Sequence, residues 1–151
     1  SQEKSFEKIS DADWDHMLVS NLRSAFSFSQ EVIPHMIKNK WGRIVNVVSI
    51  SGQWGGRNQI HYAASKAGVE AFSRTFAREM AGFNVRVNCI APGPIRTDLL
   101  RGITDTQIKK ITSQQIIPKQ FQKSDVCDLV ELLIDSRASS LSGQTLNIGG
   151  V

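Results

Sequence analysis

The segment Arg43 to Ser49, RIVNVVS, is short, rich in β-branched residues and nearly continuous in apolar character. Such a run reads as a strand buried on both faces, the setting found inside a parallel sheet. A glycine-containing loop, SGQWGGRNQ, follows it. His61 to Met80 then offers a helix long enough to cross back over a sheet. After Gly82, the segment Asn84 to Ile90 (NVRVNCI) reads as a second strand, and APGPIRTD as the loop leaving its C-terminal end. Strand, crossover helix, strand dictates an α/β layer.

The flanks extend the pattern. Ser10 with Asp13 three residues on resembles a capping box, and Trp14, Met17, Leu18 and Leu22 follow at helical spacing, so a long helix opens near residue 11. Phe26, Val32 and Ile33 carry it towards Met36. Pro34 is expected to kink or break it, because the ring removes a backbone donor. Trp41 and Gly42 mark its end. From Thr104 to about Gln122 the pattern is weak, with short helices expected around Asp105 to Thr112, and the segment reads as a lid. Ser124 and Asp125 start another helix through Leu133, and Gln144 to Ile148 forms a last strand before Gly149 and Gly150. The order is that of a doubly wound parallel sheet in one domain spanning 1–151.

Composition narrows the class. With 40% apolar and 21% charged residues in 151, the chain suits one globular domain. The net charge of +4 is spread along the chain, so no nucleic-acid partner is expected. No apolar run reaches about 18 residues, and the start SQEKSFEKIS lacks the apolar stretch of a signal peptide, so no membrane partner and a cytoplasmic location are expected. Cys89 and Cys127 form no Cys-x-x-Cys spacing and both read as buried thiols. His16, His35 and His61 share no ligand spacing, and no metal is expected. The chain opens on Ser1 and passes almost at once into a helix signal. That is an odd beginning for an α/β domain, and a piece of a longer chain is expected.

The chemistry lies around the long helix. Tyr62 and Lys66 stand four residues apart and project from one face, about a turn from each other. A free tyrosine is a poor general base near neutrality. Lowering its pKa by about three units takes roughly 4 kcal/mol, part of which a neighbouring ammonium supplies. Ser49, the last residue of the first strand, lies where ligands collect in open α/β sheets. Ser51, two residues on, carries the same hydroxyl, and chemistry alone leaves both open.

GRIVNVVSISG, then YAASKAG, then VRVNCIAPGPIRTD resemble the central and C-terminal part of the short-chain dehydrogenase/reductases, especially their 3-oxoacyl-[acyl-carrier-protein] reductase-like members. The likeness runs from about Trp14 to Gly150. It implies the catalytic part of a Rossmann-like fold, an NAD or NADP cofactor, and hydride transfer between nicotinamide and a carbonyl or secondary alcohol. The family spacing of 13 residues to the tyrosine selects Ser49. By this resemblance Ser49 binds the substrate oxygen, Tyr62 donates or removes the proton, and Lys66 holds the nicotinamide ribose. NLRSAF stands where the family has its helix asparagine, which makes Asn21 the anchor of a water relay to Lys66. Pro92, Gly93, Ile95 and Thr97 correspond to the loop that closes over the nicotinamide. Trp54 falls where the family contacts substrate, although it could equally pack its own loop. The family's usual basic residue and glycine near Phe121 are replaced by Gln120 and Gln122.

Two further expectations follow. Ala64, Ala67, Gly68 and Ala71 form a face of small residues opposite Val69, Phe76 and Met80, and the family pairs through this helix. A homo-oligomer, dimer or tetramer, is implied, with tight packing inside one subunit as the alternative. No G-x-G-x-x-G stands anywhere in the chain, so the N-terminal cofactor half of the fold is missing from it, and the first strand should expose an apolar edge. An oxidoreductase acting on a small-molecule or acyl-carrier-bound carbonyl is the leading expectation. The alternative is a truncated, non-catalytic module that contributes an oligomer interface.

Overall fold

The computed structural model describes residues 3–95 and 104–150, with only the backbone of Gln107 and Ile111. Its first helix, α1 (Asp11–Leu18), starts as its sequence dictates: the Ser10 hydroxyl accepts from the Asp13 amide at 3.2 Å and the Asp13 carboxylate accepts from the Ser10 amide at 2.9 Å. Lys4 adds an ion pair to the same carboxylate. A five-residue π-turn, Val19–Arg23, then joins α1 to α2 (Ser24–Asn39), and Lys40 ends α2 in the left-handed region at φ 49°.

Of the expected kink or break at Pro34, the break does not occur, since α2 runs through it. Pro34 leaves free the carbonyl of Gln30, an exposed residue, where water can satisfy it. The irregularity sits a dozen residues earlier, in the π-turn.

Three parallel strands follow in the order β1 (Gly42–Val47), β2 (Val85–Pro92) and β3 (Thr145–Ile148). Register pairs Ile44 with Val87 and Ile90 with Leu146. Between β1 and β2 lie α3 (Ile50–Trp54) and α4 (Ile60–Met80); between β2 and β3 lie α5 (Asp105–Thr112) and α6 (Lys123–Ile134). Alternation along β2 divides the core. Val85, Val87, Cys89 and Ala91 face α2 and α4, packing with Val69, Ala77, Leu22 and Met36. Ile90 faces the other way and packs with Leu133, Ile148, Phe121 and Leu129 beside α6. Helices therefore cover both faces of a parallel sheet.

Two expectations are corrected. The first strand ends at Val47, and it is only half buried, with Val47 50% exposed, because no strand pairs with its outer edge among the described residues. Cys89 is buried, but Cys127 is exposed on α6, whose core contacts come from Val126, Leu129, Val130 and Leu133.

Candidate active site

Tyr62 and Lys66 lie in the first two turns of α4, beside the C-terminal end of β1. Tyr62 is buried, and the Lys66 ammonium lies 5.8 Å from the centre of its ring, within cation–π range. Lys66 Nζ donates to the Val47 carbonyl oxygen at 2.9 Å. Burial lowers the Lys66 pKa from its ordinary value, because the charged form gives up water.

Ser49 caps α3, its hydroxyl accepting from the Ser51 amide at 3.2 Å. The next turn is pressed hard onto α4. A Cβ on Gly52 would lie 2.9 Å from the Ala67 nitrogen and 3.1 Å from the Lys66 carbonyl carbon. Only glycine allows this approach, and it brings the segment that begins at Ser49 onto the helical turn carrying Lys66. Trp54 ends α3 and is 72% exposed, so it does not pack the loop within this chain.

Asn21 sits inside the π-turn. Its Nδ2 reaches the Met17 carbonyl at 3.2 Å and sulfur at 3.1 Å, and the Ser65 hydroxyl at 3.1 Å. Ser65 in turn donates to the Tyr62 carbonyl at 2.7 Å. The direct partners of Asn21 are therefore Met17 and Ser65, the latter a buried residue that the sequence reading did not single out. Asn21 and Lys66 do line one open groove of about 450 Å³, between α2 and the free edge of β1.

The loop after β2 lies at the C-terminal ends of the strands, the place for ligands in an open α/β sheet. Pro92 closes β2, and Ile95 bridges to Phe121. Thr97 lies outside the described residues. A Cβ on Gly93 would meet the Gln115 amide nitrogen at 2.5 Å and the Ile148 carbonyl at 3.3 Å, and one on Gly149 would overlap the same amide. Gln115 is 6% exposed, and neither of its amide atoms has a hydrogen-bond partner among the described residues. An orphaned amide beside two glycines suits the carboxamide end of a nicotinamide. By contrast, no glycine-rich turn of the dinucleotide type is present to receive a pyrophosphate. Sequence pattern carried no signal for Gln115, which lies in the weakly patterned stretch before α6.

The small face of α4 is used within the chain. Ala67 receives Gly52, and a Cβ on Gly68 would lie 2.9 Å from Leu22. Ala71 remains exposed, next to Phe72, which stacks on Phe76 at 5.3 Å and meets Phe26 edge-on at 6.4 Å. Among the described residues, no three His, Cys, Asp or Glu side chains gather to hold a metal ion, and no helix is long and apolar enough to cross a membrane.

A family profile described as Enoyl-(Acyl carrier protein) reductase matches residues 1–150. Nodulation protein G of Azospirillum brasilense is 37% identical over 150 residues, covering 99% of this chain and 61% of that protein. The 3-oxoacyl-[acyl-carrier-protein] reductase of Thermotoga maritima is 36% identical over 143 residues, 95% of this chain and 58% of its own length. That of Escherichia coli is 34% identical over 143 residues, 95% and 59% respectively. The chain thus spans about three fifths of the length of the curated relatives it matches. A parallel sheet covered on both faces, a Tyr62–Lys66 pair beside the end of its first strand and a match over nearly every residue agree: the chain belongs to the short-chain dehydrogenase/reductase family.

Proposed function

We propose that this chain forms the catalytic part of an NAD- or NADP-dependent oxidoreductase acting on a carbonyl or secondary alcohol. The observation that carries the reading is the stacking of three groups at one place: Tyr62 buried, the Lys66 ammonium near its ring, and the Ser49-capped segment pressed onto the same turn of α4. When bound, the nicotinamide supplies or accepts the hydride. The protein's part is to bind, orient and move a proton. Ser49 holds the substrate oxygen, and the Tyr62 hydroxyl gives it a proton in reduction and takes one in oxidation. Lys66 supports the phenolate electrostatically and holds ribose hydroxyls, while Asn21, through Ser65, steadies the turn beneath Tyr62. Pro92, Gly93, Ile95 and Thr97 meet the nicotinamide end, and Trp54 meets substrate.

The relatives named 3-oxoacyl-[acyl-carrier-protein] reductases support an acyl-carrier-bound 3-oxo group as the substrate. The test is to follow NADH and NADPH oxidation with 3-oxoacyl thioesters, using the protein at its native length. Turnover with one of the two cofactors is expected; failure of both with every carbonyl offered removes the reading. The aromatic patch of Phe26, Phe72 and Phe76 favours a second reading, a non-catalytic module joining copies through α2 and α4. Cofactor binding separates the two, since the module binds none.

A further inference from the structure

Outside the group formed by Ser49, Tyr62 and Lys66, Gln53 joins elements far apart in the chain through both ends of its amide. It stands on α3 between Gly52, pressed onto α4, and the exposed Trp54. Its Nε2 donates to Glu70 Oε1 at 2.9 Å, and its Oε1 accepts from Asn147 Nδ2 at 3.0 Å. The amide orientation follows from the partners, because an ionised carboxylate accepts and cannot donate. One side chain thus links α3 to α4 and to β3, elements 17 and 94 residues away in sequence.

The anchor is an unusual one. Glu70 is 6% exposed, and its only cationic neighbour among the described residues is Arg74, whose Nη1 lies 3.5 Å from Oε2. A buried carboxylate needs hydrogen-bond partners, and Gln53 provides a close donor. The pKa of Cys89, on β2 beneath the same helix, is raised chiefly by burial, with Glu70 adding to it. Helix α3, by contrast, has five residues, too few to hold its own orientation. It ends at Gly55 with φ +78°, a conformation that glycine adopts without strain. Where it points is therefore decided by its contacts, the close approach of Gly52 to α4 and the bonds of Gln53.

We infer that Gln53 is a positioning residue for the site proposed above: the Glu70–Gln53–Asn147 chain fixes α3 and, through it, the Ser49 hydroxyl and Trp54 at the substrate mouth. The inference rests on that reading of the site. In this role Gln53 acts through Ser49 and Trp54 rather than on the reacting atoms. A neutral amide is suited to the place because it donates on the Glu70 side and accepts on the Asn147 side.

The test uses Gln53→Leu, Gln53→Glu and the exchange Gln53→Glu with Glu70→Gln, in the protein at its native length. Gln53→Leu should lose roughly ten- to a hundredfold in kcat/KM, the scale of a misplaced reacting group, with cofactor affinity by NADH and NADPH fluorescence unchanged. Gln53→Glu sets two carboxylates against each other. At low pH the pair shares a proton and the tether holds. Losing that shared proton sets two like charges against each other and breaks the tether, so kcat/KM relative to wild type falls as pH rises. Among the described residues, Arg74 and Cys89 are the other titratable groups facing the pair. The exchange restores one carboxylate against one amide and should recover kcat/KM to within a few-fold, with a flat ratio across pH. Should Gln53→Glu fail to fold, Gln53→Leu and the exchange carry the test. Wild-type kcat/KM in Gln53→Leu, or a loss that the exchange does not repair, overturns the inference while leaving the oxidoreductase reading intact. An equal loss in cofactor affinity also overturns it. A wild type with no nicotinamide-dependent turnover removes both.

Discussion

Lys66 Nζ donates to the Val47 carbonyl oxygen across 2.9 Å, so the ammonium beside Tyr62 also fastens α4 to the end of β1. Its folded-state pKa lies below its ordinary value because it is buried. A lysine depressed in this way is held charged at a cost that is complete below the folded pKa and disappears as pH rises through it, up to the unfolded value of about 10.4. Lys66→Met removes that cost and keeps the stem. In melting curves taken from neutral to alkaline pH, wild type should gain stability relative to Lys66→Met as pH rises; a parallel pair of curves contradicts the argument.

Tyr62→Phe keeps the ring under the Lys66 ammonium and deletes the hydroxyl. If Tyr62 moves the proton, turnover should drop by about 10² to 10⁴. Cofactor affinity, read by nucleotide fluorescence, should stay nearly intact. Wild-type rates in the variant would falsify the assignment of Tyr62.

Gly52→Ala tests how closely α3 must approach α4. The new Cβ meets backbone atoms of Lys66 and Ala67, which cannot swing aside as a side chain could. Overpacking of this kind costs about 1–3 kcal/mol, and it should show as a lowered denaturant midpoint. Turnover should fall as well, because relief requires moving the segment that begins at Ser49.

What the sequence disclosed depended on how local the cause was. The Ser10–Asp13 cap, the long α4 and the strands through Ile90 and Ile148 follow from spacing within a few residues, and they stand close to where the pattern put them. The π-turn around Asn21 did not, because its residues, VSNLR, are compatible with an ordinary helix; only packing against Ser65 and Gly68 distinguishes it. Pro34 does not break the helix because its missing bond lies at an exposed turn, where water can compensate. The strand ending at Ser49 looked buried because its composition is apolar, and composition does not say whether a neighbour is present. Gln53 and Gln115 gave no signal at all, since their partners are distant in the chain.

Asp13 offers a second titration with the opposite sign. The Lys4 ammonium, followed by Ser10, holds its carboxyl well below the usual carboxylate range. A carboxyl with a depressed folded pKa contributes stability above its unfolded value, and that contribution is lost as pH falls through the folded one. Asp13→Asn should therefore melt below wild type at neutral pH, with the two curves converging in strong acid. A constant offset at every pH indicates that the carboxylate charge contributes nothing.

The outer edge of β1 and the adjoining face of α2 carry the last prediction. Phe28 is 75% exposed, Val47 50% and Val32 40%, and the groove between these elements also contains Met36 and Ile44. An unpaired parallel edge flanked by apolar side chains is a template for another strand, and nothing among the described residues blunts it with proline or covers it. The 151 residues by themselves should associate as concentration rises in sedimentation velocity. Val32→Glu places a charge over the groove without touching the sheet's hydrogen bonds, and it should reduce the association. Full solubility as a monomer at high concentration shows that the edge is protected. Association that Val32→Glu does not weaken locates the contact elsewhere, with the Phe26 and Phe72 patch as another apolar surface on α2 and α4.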